Sequence, residues 1–453
     1  MQTFRTRIRV ACIIAGGAAA GALAVFACGS DSVTPPNDGG TDAPTVDGAV
    51  DAALDASLVQ CGTWSADTAG TASTRWNDIA IAGGSLLLVS RAESPQTFGG
   101  TTLTPAGTDG LFVELDLGAL TQVAATVTDL PGPDEYALVG VHPGGDRFFG
   151  GGETASIDGG PSTFRVVLER RTSAGTIAWR KSWPSVGDAN VLTVLPGGDV
   201  LLAGSQSNPT AKTFDGFTTA AASIWAIRVA GDTGAVTWAT ALGSGGTGQT
   251  VVAAPLAGGE IALAAQTRAS GKFVGDLLLA QLAANDGAIL ASTTWYGAST
   301  ATSPGYSPTT GFVNDPRVVV AGALRGTLGS GASLVDAGGA KLAFLGAYAT
   351  TDGGPLAWSA LSAVGKTSTA DPIFTHVIHV GSEIVACTQY GDCEVRSDAN
   401  GTLLRTFALP VPSQSVDAIR EKGGKLYVAG TSSLKIDAAA FLRHRYVTCF
   451  VMP

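Results

Sequence analysis

Between Gly83 and Ala429 the chain repeats one short phrase seven times: a tight, usually glycine-rich turn, a polar residue and an apolar run that often ends in Ala or Gly. The copies run from Gly83 to Val89, Gly144 to Gly150, Gly197 to Ala203, Gly258 to Ala264, Asp315 to Ala321, Gly381 to Cys387 and Gly423 to Ala429. Each predicts a hairpin, because the glycines supply the positive φ that a tight turn between strands needs. A second phrase follows, as in Asp232, Thr233, Gly234 and, four residues after the glycine, Trp238. Gly175 with Trp179 and Gly354 with Trp358 keep that offset, whereas the fourth copy carries its tryptophan later, at Trp295. Several copies also hold a looser insert, such as Thr97 to Leu103 or Lys212 to Gly216. Two hairpins per copy give four strands, at a repeat spacing of roughly 40 to 67 residues.

A unit of this kind cannot bury its apolar face alone and must stack on its neighbours. A single core stops growing near about 250 to 300 residues, so the stretch after Cys61 is too long for one core and suits a repeat array. Glycine is abundant, charged residues make up 14% of the chain, and no long helical periodicity follows Cys61. These features predict an all-β domain over residues 61–453, a seven-bladed β-propeller of four-stranded blades. Here the chain resembles bacterial β-propeller repeat proteins with Gly-Gly turns, an aromatic-Gly-Gly insert and an Asp-x-x-Gly-x-x-x-Trp hairpin. The resemblance implies the architecture and leaves the activity open, since propellers serve as enzymes and as scaffolds. Trp179, Trp238 and Trp358 are expected to pack between adjacent blades.

The N-terminus predicts a domain outside the cytoplasm. Arg5, Arg7 and Arg9 precede an uncharged run from Val10 to Cys28, the pattern of a signal peptide, and that run is short for a membrane span. Val25, Ala27 and Cys28 resemble the lipobox of bacterial lipoprotein precursors, with Phe26 bulkier than that family's usual residue. The resemblance implies cleavage before Cys28, a lipid anchor on it and, with Gly29 next, sorting to the outer membrane or cell surface. Residues 29–60 hold six aspartates, much Ala, Gly, Thr and Pro, and no Lys or Arg. Such a segment cannot bury enough apolar surface to offset its ordering entropy and is expected to be a solvated, disordered tether. Of the net charge of −10, the domain beyond it keeps −7 without a basic cluster. That balance argues against nucleic acid and against anionic lipid as direct partners.

With Cys12 removed and Cys28 lipidated, Cys61, Cys387, Cys393 and Cys449 remain in an oxidising compartment, where four cysteines can pair three ways. The seventh copy ends without a fourth strand, and Gln60 to Trp64 resembles the missing one. The mature N-terminal strand is therefore expected to complete the last blade and to bring Cys61 beside Cys449. Cys387 and Cys393 are then expected to staple the short hairpin of the sixth copy, which lacks the longer insert. No Cys-x-x-Cys spacing points to zinc.

No nucleophile elbow, phosphate loop, His-Glu-x-x-His motif or EF-hand run is present, and no metal or cofactor is expected. The phrase from Asp232 to Trp238 also resembles repeats of quinone-cofactor dehydrogenases, but the adjacent cysteine pair of that family is missing. It resembles, too, the propeller lipoprotein of outer-membrane protein assembly. His376 and His379 lie three apart on a strand and so point to opposite faces, one expected buried and one toward the channel. The innermost strands line a propeller's channel, which makes Asp78, Asn190, Gln249, His376 and Asp417 the candidate ligand contacts. The expected function is a monomeric, non-enzymatic binding or scaffold module with a protein or polysaccharide partner. A hydrolase or lyase at the channel mouth and an outer-membrane assembly scaffold are the alternatives.

Overall fold

The structure, a computed structural model, describes residues 58–452 apart from 69–74, 129–133, 156–162, 208, 244–246, 269–274, 299–305, 330–333, 339, 351–354, 363–371, 411–414 and 436–440. Cys28, the tether up to Ser57 and Gly354 lie outside the described residues. The fold is a seven-bladed β-propeller, and no helix occurs among the described residues. Blades 1 to 6 are four-stranded antiparallel sheets over residues 76–128, 134–184, 188–242, 247–295, 306–362 and 374–408. Blade 7 takes three strands from residues 415–451 and its outermost strand, Val59–Thr68, from the N-terminal end of the domain. Val59 pairs with Val451 and Trp64 with Val447, so the ring closes as its missing strand predicted.

Both cysteine pairs are bonded. Cys61 and Cys449 join the outer two strands of blade 7 across a sequence separation of 388 residues. Cys387 and Cys393 face each other across the hairpin of blade 6, both fully buried against blade 7.

The Asp-x-x-Gly-x-x-x-Trp phrase has a mechanical reason that runs between copies. Trp179 in blade 2 donates from Nε1 to the carbonyl of Gly231 in the last turn of blade 3, at 2.8 Å. Trp238 reaches Ala284 in blade 4 and Trp358 reaches Asp398 in blade 6, each at 2.9 Å. The same three carbonyls accept from Arg170, Arg228 and Arg317 of the preceding blade. Each indole lies over the glycine of the next blade's turn. A Cβ on Gly234, Gly287 or Gly401 would stand 2.8, 2.5 or 2.4 Å from it. Their φ values of 72°, 70° and 72° favour glycine as well. The repeat therefore spells a clasp in which one blade supplies the plate and the next the socket. Between blades 7 and 1 the sizes are exchanged: Gly62 occupies the tryptophan's place, and Leu120 occupies the glycine's with φ of 51°. A Cβ on Gly62 would meet Leu120 Cδ1 at 3.3 Å.

Trp295 belongs to a second set, with Trp64 and Trp183, farther along the outermost strands of blades 4, 7 and 2. These rings receive the inserts of blades 5, 1 and 3. Phe98 stacks on Trp64 at 6.2 Å and 4°. Phe214 sits between Trp183 and Trp225, and Leu328 and Val335 pack with Trp295. Phe98, Phe214 and Leu328 are fully buried, so each insert is plugged into the blade before it.

Candidate functional site

The five polar residues expected to line the channel sit on five different inner strands and are not brought together. The reason is a β-bulge in every innermost strand, at Asn77, Ala137, Asn190, Val251, Thr309, Thr375 and Asp417. A bulge adds one residue and turns the side chains around it, here toward the next blade. Asp417 Oδ2 accepts from the Trp76 amide of blade 1 at 3.2 Å. Asn77 donates to the Tyr136 carbonyl of blade 2 at 2.8 Å. Asn190 Oδ1 accepts from Ser205 at 2.7 Å and from the Thr250 amide of blade 4 at 3.4 Å.

Asp78, one residue after its bulge, accepts from Val139 of blade 2 at 3.1 Å and pairs with Arg420 of blade 7 at 2.6 Å. His376 stands in the matching place and meets the Val416 carbonyl of blade 7 at 2.9 Å. His379 leaves the opposite face of the same sheet and meets Asn314 of blade 5 at 3.1 Å. The two histidines thus point apart as their spacing requires, but each faces a neighbouring blade rather than one facing the channel. Gln249 alone of the five is exposed. The inner polar ring holds blades together.

One concentration of buried charge lies between blades 1 and 2. Glu169, fully buried, accepts from Arg171 at 2.5 Å, from Arg180 at 2.8 Å and from the Tyr136 hydroxyl at 3.2 Å. Arg180 also pairs with Glu153 at 2.7 Å, and Arg147 with Glu114 at 2.6 Å. Burial, reinforced by the Glu169 charge, pushes the Tyr136 phenol up to about 12, so it stays a donor. Both oxygens of Glu169 are already engaged by partners within the fold. Its role is structural: Glu169→Gln, which leaves Arg171 without a carboxylate and Arg180 with Glu153 alone, is expected to cost about 3 kcal/mol, read as a lower urea midpoint without change in partner binding.

Among the described residues no three His, Cys, Asp or Glu side chains are placed to share a metal ion. A cavity between blades 4 and 5, lined by Ala262, Leu279, Thr293 and Val318, measures about 20 Å³, room for about one water. It holds neither an acid nor a histidine.

The remaining candidate is a surface. In blades 1 to 6 the turns joining strands one to two and three to four lie at one end of the propeller, as does the turn joining the first two strands of blade 7. The connections joining strands two to three, and one blade to the next, lie at the other. The turns are short. The opposite connections include 93–108, 206–223 and 325–341 in blades 1, 3 and 5, which carry the inserts. All four exposed aromatic side chains among the described residues stand on this insert face: Phe164, Phe217, Tyr296 and Tyr390. Phe164 opens the third strand of blade 2, Phe217 lies on the insert hairpin of blade 3, and Tyr296 follows the last strand of blade 4.

Tyr390 tops the disulfide hairpin of blade 6. The Gln389 carbonyl accepts from the Val416 amide and the Gly391 carbonyl from the Leu409 amide, each at 2.8 Å. The loop is therefore clamped on both sides, and the ring is presented on a rigid support. Thr97 with Thr102 and Thr213 with Thr218 add matched exposed hydroxyl pairs on the inserts of blades 1 and 3. Sequence reasoning identified the inserts and the Tyr390 loop as structural phrases and missed their exposed rings. The available signal was an aromatic residue next to turn glycines, as in Asp215, Gly216 and Phe217.

No protein-family model matches the chain, and no curated protein matches it. Solved structures do. U3-55K is similar over 86% of this chain and 98% of its own, at 6% identity and a TM-score of 0.51. BamB from Moraxella catarrhalis is similar over 87% and 100%, at 12% identity and 0.45. The quinohemoprotein alcohol dehydrogenase from Comamonas testosteroni is similar over 86% and 76%, at 11% identity and 0.46. The likeness is one of fold alone.

Proposed function

We infer that the chain is a membrane-anchored, extracytoplasmic propeller that works as a non-enzymatic binding module and engages a protein partner through the insert face. The observation that carries this reading is the gathering of Phe164, Phe217, Tyr296 and Tyr390 on one end of the ring. Exposed rings on rigid supports are the residues that dominate protein interfaces. They are spread over blades 2 to 6, a span that suits a large partner.

The anchoring part of the reading rests on the lipobox at Val25, Ala27 and Cys28 and on the acidic segment behind it. A strand that begins at Val59 enters the domain at the turn end, which leaves the insert face on the far side. Outer membrane or cell surface is the location this arrangement suits.

The test uses the mature protein and its Phe217→Ala/Tyr390→Ala variant as bait for envelope extracts in mild detergent, with a glycan array in parallel. The expected result is a reproducible protein partner whose capture falls at least about tenfold in the variant, with an unchanged melting temperature. Equal capture by both, binding confined to glycans, or substrate turnover without a retained partner would overturn the reading.

A further inference from the structure

The tryptophan clasp holds three seams of the ring, and between blades 4 and 5 its plate is missing. Trp179, Trp238 and Trp358 each form the first strand pair beyond the bulge in the last hairpin of their blade, opposite Arg170, Arg228 and Ala347. In blade 4 that pair is Ala291 with Gln281. A methyl group therefore takes the place of the indole. The acceptor side is kept. In the clasps the indole hydrogen goes to the residue after the one that closes the next blade's turn: Gly231 after Ala230, Ala284 after Ala283, Asp398 after Ser397. In blade 5 the closing residue is Ala349, whose amide donates to the Pro355 carbonyl at 2.9 Å, so Thr350 holds the acceptor place. Its amide and its hydroxyl both donate to the Pro316 carbonyl, at 2.9 and 3.0 Å, which fixes it there.

The seam between blades 1 and 2 shows how a missing plate is otherwise made good. Its matching pair is Ala124 with Glu114, and Arg147 of blade 2 reaches across to Glu114 at 2.6 Å. The strand register puts Val318 of blade 5 where Arg147 stands: Val318 pairs with Tyr348 as Arg147 pairs with Arg171. Val318 and Gln281 can form no ion pair, and the cavity between blades 4 and 5 is the result, lined by both of them with Ala291, Ala349 and Thr350. Its enclosed part admits about one water. Its outer rim, at the half-buried Ala291, is the place where three other seams hold a ring.

The strand that carries Ala291, Ile289–Trp295, is the outermost of blade 4 and has no charged residue and no proline. Its edge thus lacks the usual guards against strand addition. Ile289 and Leu290, 48% and 54% exposed, stand beside the cavity. An open edge with a pocket alongside takes extended peptides: main-chain hydrogen bonds hold the segment, and the pocket selects a side chain.

We propose that this seam docks a tryptophan of a partner protein, carried on an extended, uncharged segment that adds to the edge of blade 4. The incoming indole covers Ala291 and donates to the Thr350 carbonyl, completing between two molecules the clasp that blades 2, 3 and 5 complete within one. The chain's own seams name the occupant, and a lining without charge gives an ion nothing to bind. The site lies on the outer wall and is independent of the insert face.

The probe is a capped peptide with the sequence of residues 235–242, Ala-Val-Thr-Trp-Ala-Thr-Ala-Leu, labelled with fluorescein for anisotropy, with photo-leucine as its last residue. It is titrated against the purified mature protein and against two variants that fill the seam in ways the chain itself uses elsewhere. Ala291→Trp restores the plate, and Gln281→Glu/Val318→Arg rebuilds the ion pair of the first seam. Two independent fillings keep the test decisive if one of them fails to fold, which its melting temperature reports. The expected result is saturable binding, at least about tenfold weaker for the peptide with alanine in place of tryptophan and for each folded variant, and a photo-adduct within residues 289–295. Absence of saturable binding up to about 1 mM peptide, equal binding of the alanine peptide, binding that persists in a folded variant, or an adduct confined to other strands would overturn the proposal.

Discussion

Replacing Cys61 and Cys449 by serine is expected to lower the unfolding free energy by about 5 kcal/mol, and replacing Cys387 and Cys393 by only about 2. Both bridges constrain the denatured chain, and the constraint grows with the loop closed: 388 residues in one case and 6 in the other. The larger bridge also sits at the only blade assembled from both ends of the chain. Without it, Val59–Thr68 holds to the ring through its ladder with the preceding strand and through the stack of Trp64 on Phe98. Urea denaturation under non-reducing conditions would give both values. Equal losses from the two double variants would contradict a ring fastened at its seam.

The second large effect is expected at the tryptophan clasp. Gly401→Leu should cost about 3 kcal/mol or more, because it adds a Cβ within 2.4 Å of Trp358 and places a bulky residue in the left-handed region. Trp358→Gly removes a buried indole and its hydrogen bond to Asp398, a loss of about 3 to 5 kcal/mol. The two together should cost at least about 1 kcal/mol less than the sum, since Gly62 and Leu120 already run the seam between blades 7 and 1 in that exchanged form. A double-mutant cycle in urea checks this. Strict additivity would mean that the indole and the glycine do not share one socket.

The architecture was legible because it is written in repeats. Glycine turns at fixed offsets and a final copy short of one strand are enough to set the blade count and the mode of closure. The tryptophans read as packing residues, but their partners did not, because each contacts the next copy's turn and not its own. Gly234 and Trp238 are four apart in sequence, yet Trp238 covers Gly287 while Gly234 lies under Trp179. Trp295 looked like a displaced member of the same set and instead supports the insert that follows it.

The candidate site was less legible, for a physical reason that Asn190 and Asp417 show. Strand alternation assigns a residue to a face by counting in twos, and a bulge shifts the count without leaving a composition signal. The bulged residue can be Asn, Ala, Val, Thr or Asp here, because what fixes the bulge is pairing between strands and not the side chain. Four of the five polar residues that counted as channel lining, Asp78, Asn190, His376 and Asp417, therefore became links between blades. The exposed rings escaped notice for the opposite reason. Phe217 sits three residues from an aromatic core plug, Phe214, in the same hairpin, and only the fold separates the buried ring from the displayed one.

The claim that the insert face is the working surface is tested most directly by site-specific photo-cross-linking in the intact envelope. Benzoylphenylalanine would replace Phe217 or Tyr390 on the insert face, and Val123 or Ile177 on the outer wall at the turn end. The account predicts one discrete, saturable protein adduct shared by positions 217 and 390 and absent from 123 and 177. An adduct confined to the outer-wall positions, or no protein adduct from either insert position, would contradict it.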